Sequence, residues 1–231
     1  MWTKGAPALL LLALAACGGS GGNNQASPFP EPHRPVAPVS SRYLNEDTRD
    51  RIGEFETVSR LAEVRERMFV ADIGAGGGYY TVRLSPLVGS KGRVLAEDIV
   101  PETRDRLSDR VQRENLDNVA VKLGAADDPM LPHASFDRIF LVHMYHEVQS
   151  PYAFLWHLRD AVKPGGLVIV VDSNRPVERH GIPPAQLKCE LAGLALTPVK
   201  ATFLTGGEVY LMAFKLAGPR PEPGKIGVCA S

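Results

Sequence analysis

The stretch Phe69-Val70-Ala71-Asp72-Ile73-Gly74-Ala75-Gly76-Gly77-Gly78-Tyr79-Tyr80 decides the fold. Five residues of strand character end at a glycine cluster, where a chain must turn sharply and where a ligand can approach backbone with no Cβ in the way. Outward from this turn, runs of strand length alternate with helical patterns. Val82, Leu84 and Leu87 predict a helix, Arg93 to Asp98 a strand, and Leu107 with Val111 a second helix. Val119 to Leu123, Arg138 to Val142 and Leu167 to Val171 are the next strands. Before the last of these, Phe154, Leu158, Ala161 and Val162 fall on one helical face, which Lys163-Pro164-Gly165-Gly166 is expected to stop. Pro184 to Leu194 reads as a helix, and Val199 to Phe203 with Glu208 to Phe214 as strands joined through a Gly206-Gly207 turn. The alternation predicts an α/β fold on a mainly parallel sheet of seven strands closing in a hairpin.

With 231 residues, 44% of them hydrophobic and 23% charged, the chain can build one substantial domain and is too short for two. Its 26 Lys+Arg balance 26 Asp+Glu, which argues against a broad nucleic-acid surface, since phosphate binding needs a surplus of cations on one face.

The glycine turn is weak information by itself. A dinucleotide fingerprint wants a third glycine where Tyr79 stands, three residues after Gly76, and no Gly-Lys-Ser/Thr follows to cradle phosphate. A second acid, Asp98, ends the next strand, where a carboxylate can accept from both hydroxyls of a ribose, so a nucleoside ligand is expected. Asp127-Asp128 follows the third strand after Gly124-Ala125-Ala126; it is read either as a partner for an exocyclic adenine amine or as a solvated turn ahead of Pro129.

The sequence resembles the class I S-adenosylmethionine-dependent methyltransferases. The likeness rests on Val70 to Tyr80, on Gly92-Arg93-Val94-Leu95-Ala96-Glu97-Asp98, on Leu131-Pro132 with Ser135-Phe136-Asp137, and on Leu158 with Val162-Lys163-Pro164-Gly165-Gly166, in family order over about 70 to 216. It implies a Rossmann-like seven-stranded sheet, mainly parallel with an antiparallel last strand and helices on both faces, and S-adenosylmethionine as cofactor. It further implies that Asp72, Gly74, Gly76 and Gly78 surround the methionine part, that Asp98 holds the ribose, and that Asp127 or Asp128 lies near adenine.

Methyl transfer asks mainly for alignment of the attacking atom, with a base for a hydroxyl or amine acceptor. Val142-His143-Met144-Tyr145-His146-Glu147 follows the fourth strand, where this fold places the reacting methyl, so His143, Tyr145, His146 and Glu147 are the catalytic candidates, with His146 as base and Tyr145 as orienter. No metal is expected, because their order matches neither the HExxH helix nor its inverse. Asp172, Arg175 and His180-Gly181 lie on the same rim. Arg49-Asp50-Arg51 and Gly53 to Glu56 begin a helix over the cofactor mouth, read as a solvated charged face or as a lid. A small-molecule acceptor is the expected partner. The alternative is a non-catalytic module that binds a nucleoside or another protein on the same fold.

At the front, Lys4 precedes an apolar run, Ala6 to Ala16, too short for a stable membrane span. Leu14-Ala15-Ala16-Cys17 resembles the bacterial lipobox, which implies cleavage of residues 1–16, acylation of Cys17 and a membrane anchor in the cell envelope facing the periplasm; the alternative is cutting by ordinary signal peptidase. Gly18 after the cysteine leans toward the outer membrane. Residues 17–41, rich in Gly and then in Pro, read as a flexible linker, 42–217 as the folded domain and 218–231 as an irregular tail. Cys189 and Cys229 either pair in an oxidising compartment or remain a buried helical thiol and an inert tail thiol.

Overall fold

The alternation of strand and helix signals resolves into a seven-stranded sheet of order β3-β2-β1-β4-β5-β7-β6. The structure, a computed structural model, describes residues 1–2, 27–40 and 45–230; Cys17 and the apolar run Ala6 to Ala16 lie outside these residues. The strands are β1 (Phe69–Ile73), β2 (Arg93–Asp98), β3 (Val119–Leu123), β4 (Phe136–Val142), β5 (Val162–Ser173), β6 (Leu196–Phe203) and β7 (Val209–Leu216). β1 to β5 pair in parallel, while β7 runs antiparallel to both β5 and β6. The left-handed glycines Gly206 and Gly207 turn β6 into β7 as expected of a hairpin.

Period-two burial on the central strands feeds two apolar layers. Ile139, Leu141, Val168 and Val170 face α5 (Pro151–Asp160) and α6 (Pro184–Gly193), whereas Val70, Phe140, Ile169 and Val171 face α2 (Glu54–Leu61) and α3 (Tyr79–Val88). α4 (Pro101–Arg113) packs Leu107 and Val111 against Ala96 of β2. A short α1 (Glu46–Arg51) precedes these. Among the described residues no helix is long and apolar enough to cross a membrane.

The expected stop at Lys163-Pro164-Gly165-Gly166 is instead part of a strand. α5 ends at Asp160, and Val162 already pairs with Phe136. The register shifts before Arg138 pairs with Leu167. The sequence Pro-Gly-Gly suits this irregularity as well as it suits a helix end: Gly165 takes a φ of 79°, and a Cβ on Gly166 would sit 2.7 Å from the Phe136 carbonyl oxygen.

Composition misjudges both margins of the domain. Residues 27–40 form neither helix nor strand, but they lie on the domain. Phe29 meets the Trp156 ring edge-on at 5.5 Å, and the Ala37 N–H donates to the His146 carbonyl at 3.2 Å. Arg34, buried, pairs with Glu190 of α6 at 2.7 Å. The tail lacks regular structure beyond one 3-10 turn, yet Cys229 forms a disulfide with Cys189 of α6, and the Trp156 indole N–H donates to Pro221. A few anchoring side chains suffice to hold segments whose overall composition is that of a spacer.

Candidate functional site

β1 has β2 on one side and β4 on the other, so the strand order reverses beside β1, the place where an α/β sheet opens a crevice at the carboxyl ends of its strands. A cavity of about 820 Å3 lies there. Its floor is the glycine turn. Gly74 and Gly76 have φ of 64° and 55°, in the left-handed region. A Cβ on Gly74 would come 2.9 Å from Cγ of Met144, while around Gly76 and Gly77 nothing stands within 4 Å of a built Cβ, which leaves backbone open to a ligand. Gly78 does something else. It caps α3 with a φ of 87° and does not line the cavity; a Cβ there would overlap Leu107 of α4, so this glycine serves helix packing rather than the cofactor contact expected of it.

Asp98 lines the cavity and accepts from the backbone N–H groups of Gly76 at 3.0 Å and Val100 at 2.9 Å. Asp72, also on the wall, accepts from the Thr81 hydroxyl at 2.6 Å, and burial raises its carboxyl to about 6. Glu97, which the sequence reading passed over in favour of its neighbour, lines the cavity too and is 1% exposed. Its Oε2 takes a long bond of 3.4 Å from the Gly74 N–H, and burial pushes it up to about 8. Gly124 at the tip of β3 was the available signal, since a Cβ there would overlap the Glu97 carboxyl.

Asp127 and Asp128 do not reach the cavity. Asp127 is exposed, and Asp128 closes a turn by accepting from the Met130 N–H at 2.6 Å and facing His157 at 3.6 Å. The wall at this place is made by Ala125 and Ala126, and the side chains of Asp127 and Asp128 are not part of it.

The opposite wall is the tip of β4. His143, Met144 and Glu147 line it; Tyr145 and His146 do not. Residues Tyr145–Glu147 form a 3-10 turn, which sends neighbouring side chains in different directions. Tyr145 goes into the core, where its hydroxyl donates to Glu190 at 2.6 Å, so it cannot orient a substrate from there. His143, with a φ of 55°, places Nε2 3.3 Å from Glu54 of α2. Burial pushes Glu54 up, but its bonds with His143 and Arg49 outweigh this and hold it at about 2, while burial lowers His143 below the usual histidine range. His146 stands behind Glu147. Its Nδ1 is 3.0 Å from both oxygens of buried Asp172, and its Nε2 is 3.8 Å from Glu147 Oε1. Glu147 also accepts from the Ser40 N–H at 2.9 Å, and His180 Nδ1 stands 3.7 Å away. Arg175 turns aside to Glu208 at 3.0 Å.

The charged N-terminal helix is a cover over this space. Glu46, Thr48 and Arg49 of α1 line the cavity with Val39 and Ser40. Glu46 takes bonds from Arg110 of α4 at 2.5 Å and Arg83 of α3 at 3.2 Å, and the Arg49 guanidinium lies 3.9 Å over the Tyr79 ring. Both charge and cation–π attraction thus fasten the cover to the two helices that follow β1 and β2.

Residues 71–170 match the family model described as Methyltransferase domain. The chain is 28% identical over 155 residues to a protein-L-isoaspartate O-methyltransferase of Ignicoccus hospitalis, an overlap covering 63% of this chain and 71% of that one. It is 30% identical over 111 residues to the ubiquinone/menaquinone biosynthesis C-methyltransferase UbiE of Coxiella burnetii, covering 46% of this chain and 43% of that protein. It thus spans less than half of the second relative's length. In fold it is similar to a solved SAM-dependent methyltransferase from Aquifex aeolicus, with TM-score 0.66 at 22% identity, over 75% of this chain and 100% of that one.

Proposed function

We propose that this chain, which is an S-adenosylmethionine-dependent methyltransferase, delivers the methyl group to a small-molecule acceptor held between the β4 tip and the α1 cover. The observation that carries this reading is the enclosure: Val39 and Ser40 with Asn45, Glu46, Thr48 and Arg49 border a cavity of about 820 Å3. That volume falls in the range of roughly 300–1,000 Å3 typical of small-molecule sites. S-adenosylmethionine, when bound, supplies an electrophilic methyl on a sulfonium sulfur. The floor fits it: bare backbone at Gly76 and Gly77, and a carboxylate at the β2 tip. Asp98 would hold the ribose, Asp72, Gly74 and Gly76 would surround the methionine part, and Ala125 with Ala126 would border adenine.

At the other wall His143 replaces His146 as the group suited to take a proton. Its ring borders the cavity, burial favours its neutral form, and the Glu54 carboxylate favours the protonated ring once a hydroxyl or amine acceptor has given up its proton. Labelled methyl transfer to a panel of phenols, amines and an isoaspartyl peptide tests the reading. Turnover of a small compound is expected, and His143→Gln should lower kcat about 10²–10⁴-fold with cofactor binding intact. Transfer to the isoaspartyl peptide alone would replace the reading with a protein acceptor.

We also infer export and lipid anchoring at Cys17 in the cell envelope. The Cys189–Cys229 disulfide supports this, because such bonds persist in oxidising compartments. Palmitate labelling and membrane fractionation of Cys17→Ser should both lose signal; unchanged labelling would sink the anchor.

A further inference from the structure

We propose that His146, Glu147 and His180 form a binding site for a divalent transition-metal ion of zinc type at the acceptor end of the cavity. Among the described residues these three bring one ligand atom each within 4.8 Å of one another. Two imidazoles and one carboxylate are a donor set suited to zinc, and three protein ligands leave a coordination position for water or for an acceptor heteroatom.

Three features fix the ligands beforehand. Asp172, 0% exposed, takes up His146 Nδ1 at 3.0 Å, which leaves Nε2 as the ring nitrogen turned to Glu147. A carboxylate behind a histidine in this way sets the ring orientation and raises its strength as a ligand. Glu147 is steadied by the Ser40 N–H at 2.9 Å. His180 comes from the loop after β5, in a left-handed conformation (φ 55°, ψ 63°) rare for a non-glycine residue. That loop is pinned by the Ile182 N–H donating to Ser173 at 2.9 Å.

The spacing needs little adjustment: ligands on a tetrahedral zinc are roughly 3.3 Å apart, given bonds of about 2.0–2.2 Å. Here the Glu147 oxygen is 3.8 Å from His146 Nε2 and 3.7 Å from His180 Nδ1. The pattern escaped the sequence because two ligands are adjacent on one turn and the third comes from a separate loop. That the ion would sit beside the acceptor rests on the proposed function; the site itself does not.

The test is metal binding rather than activity. Full-length protein stripped with a chelator is titrated calorimetrically with Zn2+, and Co2+ is added in parallel to read its visible absorption. One ion per chain is expected, with tetrahedral-type Co2+ bands. His180→Ala and Glu147→Gln should each weaken binding at least about 10-fold, and Asp172→Asn about 10–100-fold. Both ligand variants alter partly exposed side chains, and their metal-free circular dichroism should match the parent. Absence of saturable binding, or binding that either ligand variant leaves unchanged, overturns the site. Either failure would leave methyl transfer standing, since no step of the test uses the cofactor.

Discussion

The two ends of the cavity are built by different means. The end proposed for the cofactor is one continuous turn plus the tips of two neighbouring strands, so its shape is set by backbone conformation at Gly74 and Gly76 and by one carboxylate that grips the turn, Asp98. The end proposed for the acceptor is assembled mainly from side chains far apart in sequence: Glu54, His143 and Glu147, with the Ser40 N–H on Glu147 and, behind them, Asp172 and His180. A backbone-built site tolerates change around it and fails when its few fixed points are altered. A side-chain-built site depends on every segment that delivers a member.

Asp98→Ala strikes the first end hardest. Loss of the two ribose hydroxyl bonds proposed for its carboxylate, worth about 1.5–3 kcal/mol each, should weaken S-adenosylmethionine binding at least about 100-fold by calorimetry. A loss under about threefold would break the contrast. The second end should respond to a residue outside the cavity. Arg34→Ala strips the partner from buried Glu190, which also holds Tyr145 of the β4 turn, and should cost about 3–5 kcal/mol in chemical denaturation.

Smaller effects sharpen the division within the glycine turn. Gly78→Ala, strained at a φ of 87° and pressed on Leu107, should lower stability by about 1–3 kcal/mol. Gly77→Ala, with open space around it, should stay within about 0.5 kcal/mol. Glu97 supplies a pH test. Its folded carboxyl, raised from 4.5 to about 8 chiefly by burial and also by Asp98 and Asp72, against Lys122, keeps its proton over a range where the unfolded chain has lost it. Its contribution to stability is therefore greatest below about pH 4.5 and is lost as pH rises toward 8. Glu97→Gln should make the decline in melting temperature across that window shallower.

The same division explains what could be read from the sequence. Strand and helix periodicity, the hairpin glycines and the β1 and β2 acids are local signals, and the sheet and cofactor floor follow from them. Tyr145 and His146 sat in the right segment, but a 3-10 turn decides which side chain faces the cavity, and no periodicity encodes that. Asp127 and Asp128 were attractive as acids at a strand end, while the structure uses the backbone just before them. Glu97 and Gly124 are complementary in shape only because β2 and β3 are adjacent, a relation no single stretch displays. Phe29, Arg34 and Ala37 were hidden by the prolines around them.

One helix has a mechanical consequence. Cys189 and Glu190 are consecutive residues of α6, and they fasten Cys229 and Arg34 respectively. The segments around Arg34 and Cys229 are therefore latched to a single turn of helix, which makes the domain nearly a closed loop. Strain applied to the chain ahead of Arg34 runs into α6 and the sheet behind it before it reaches α1. The cover over the cavity is thereby isolated from that strain.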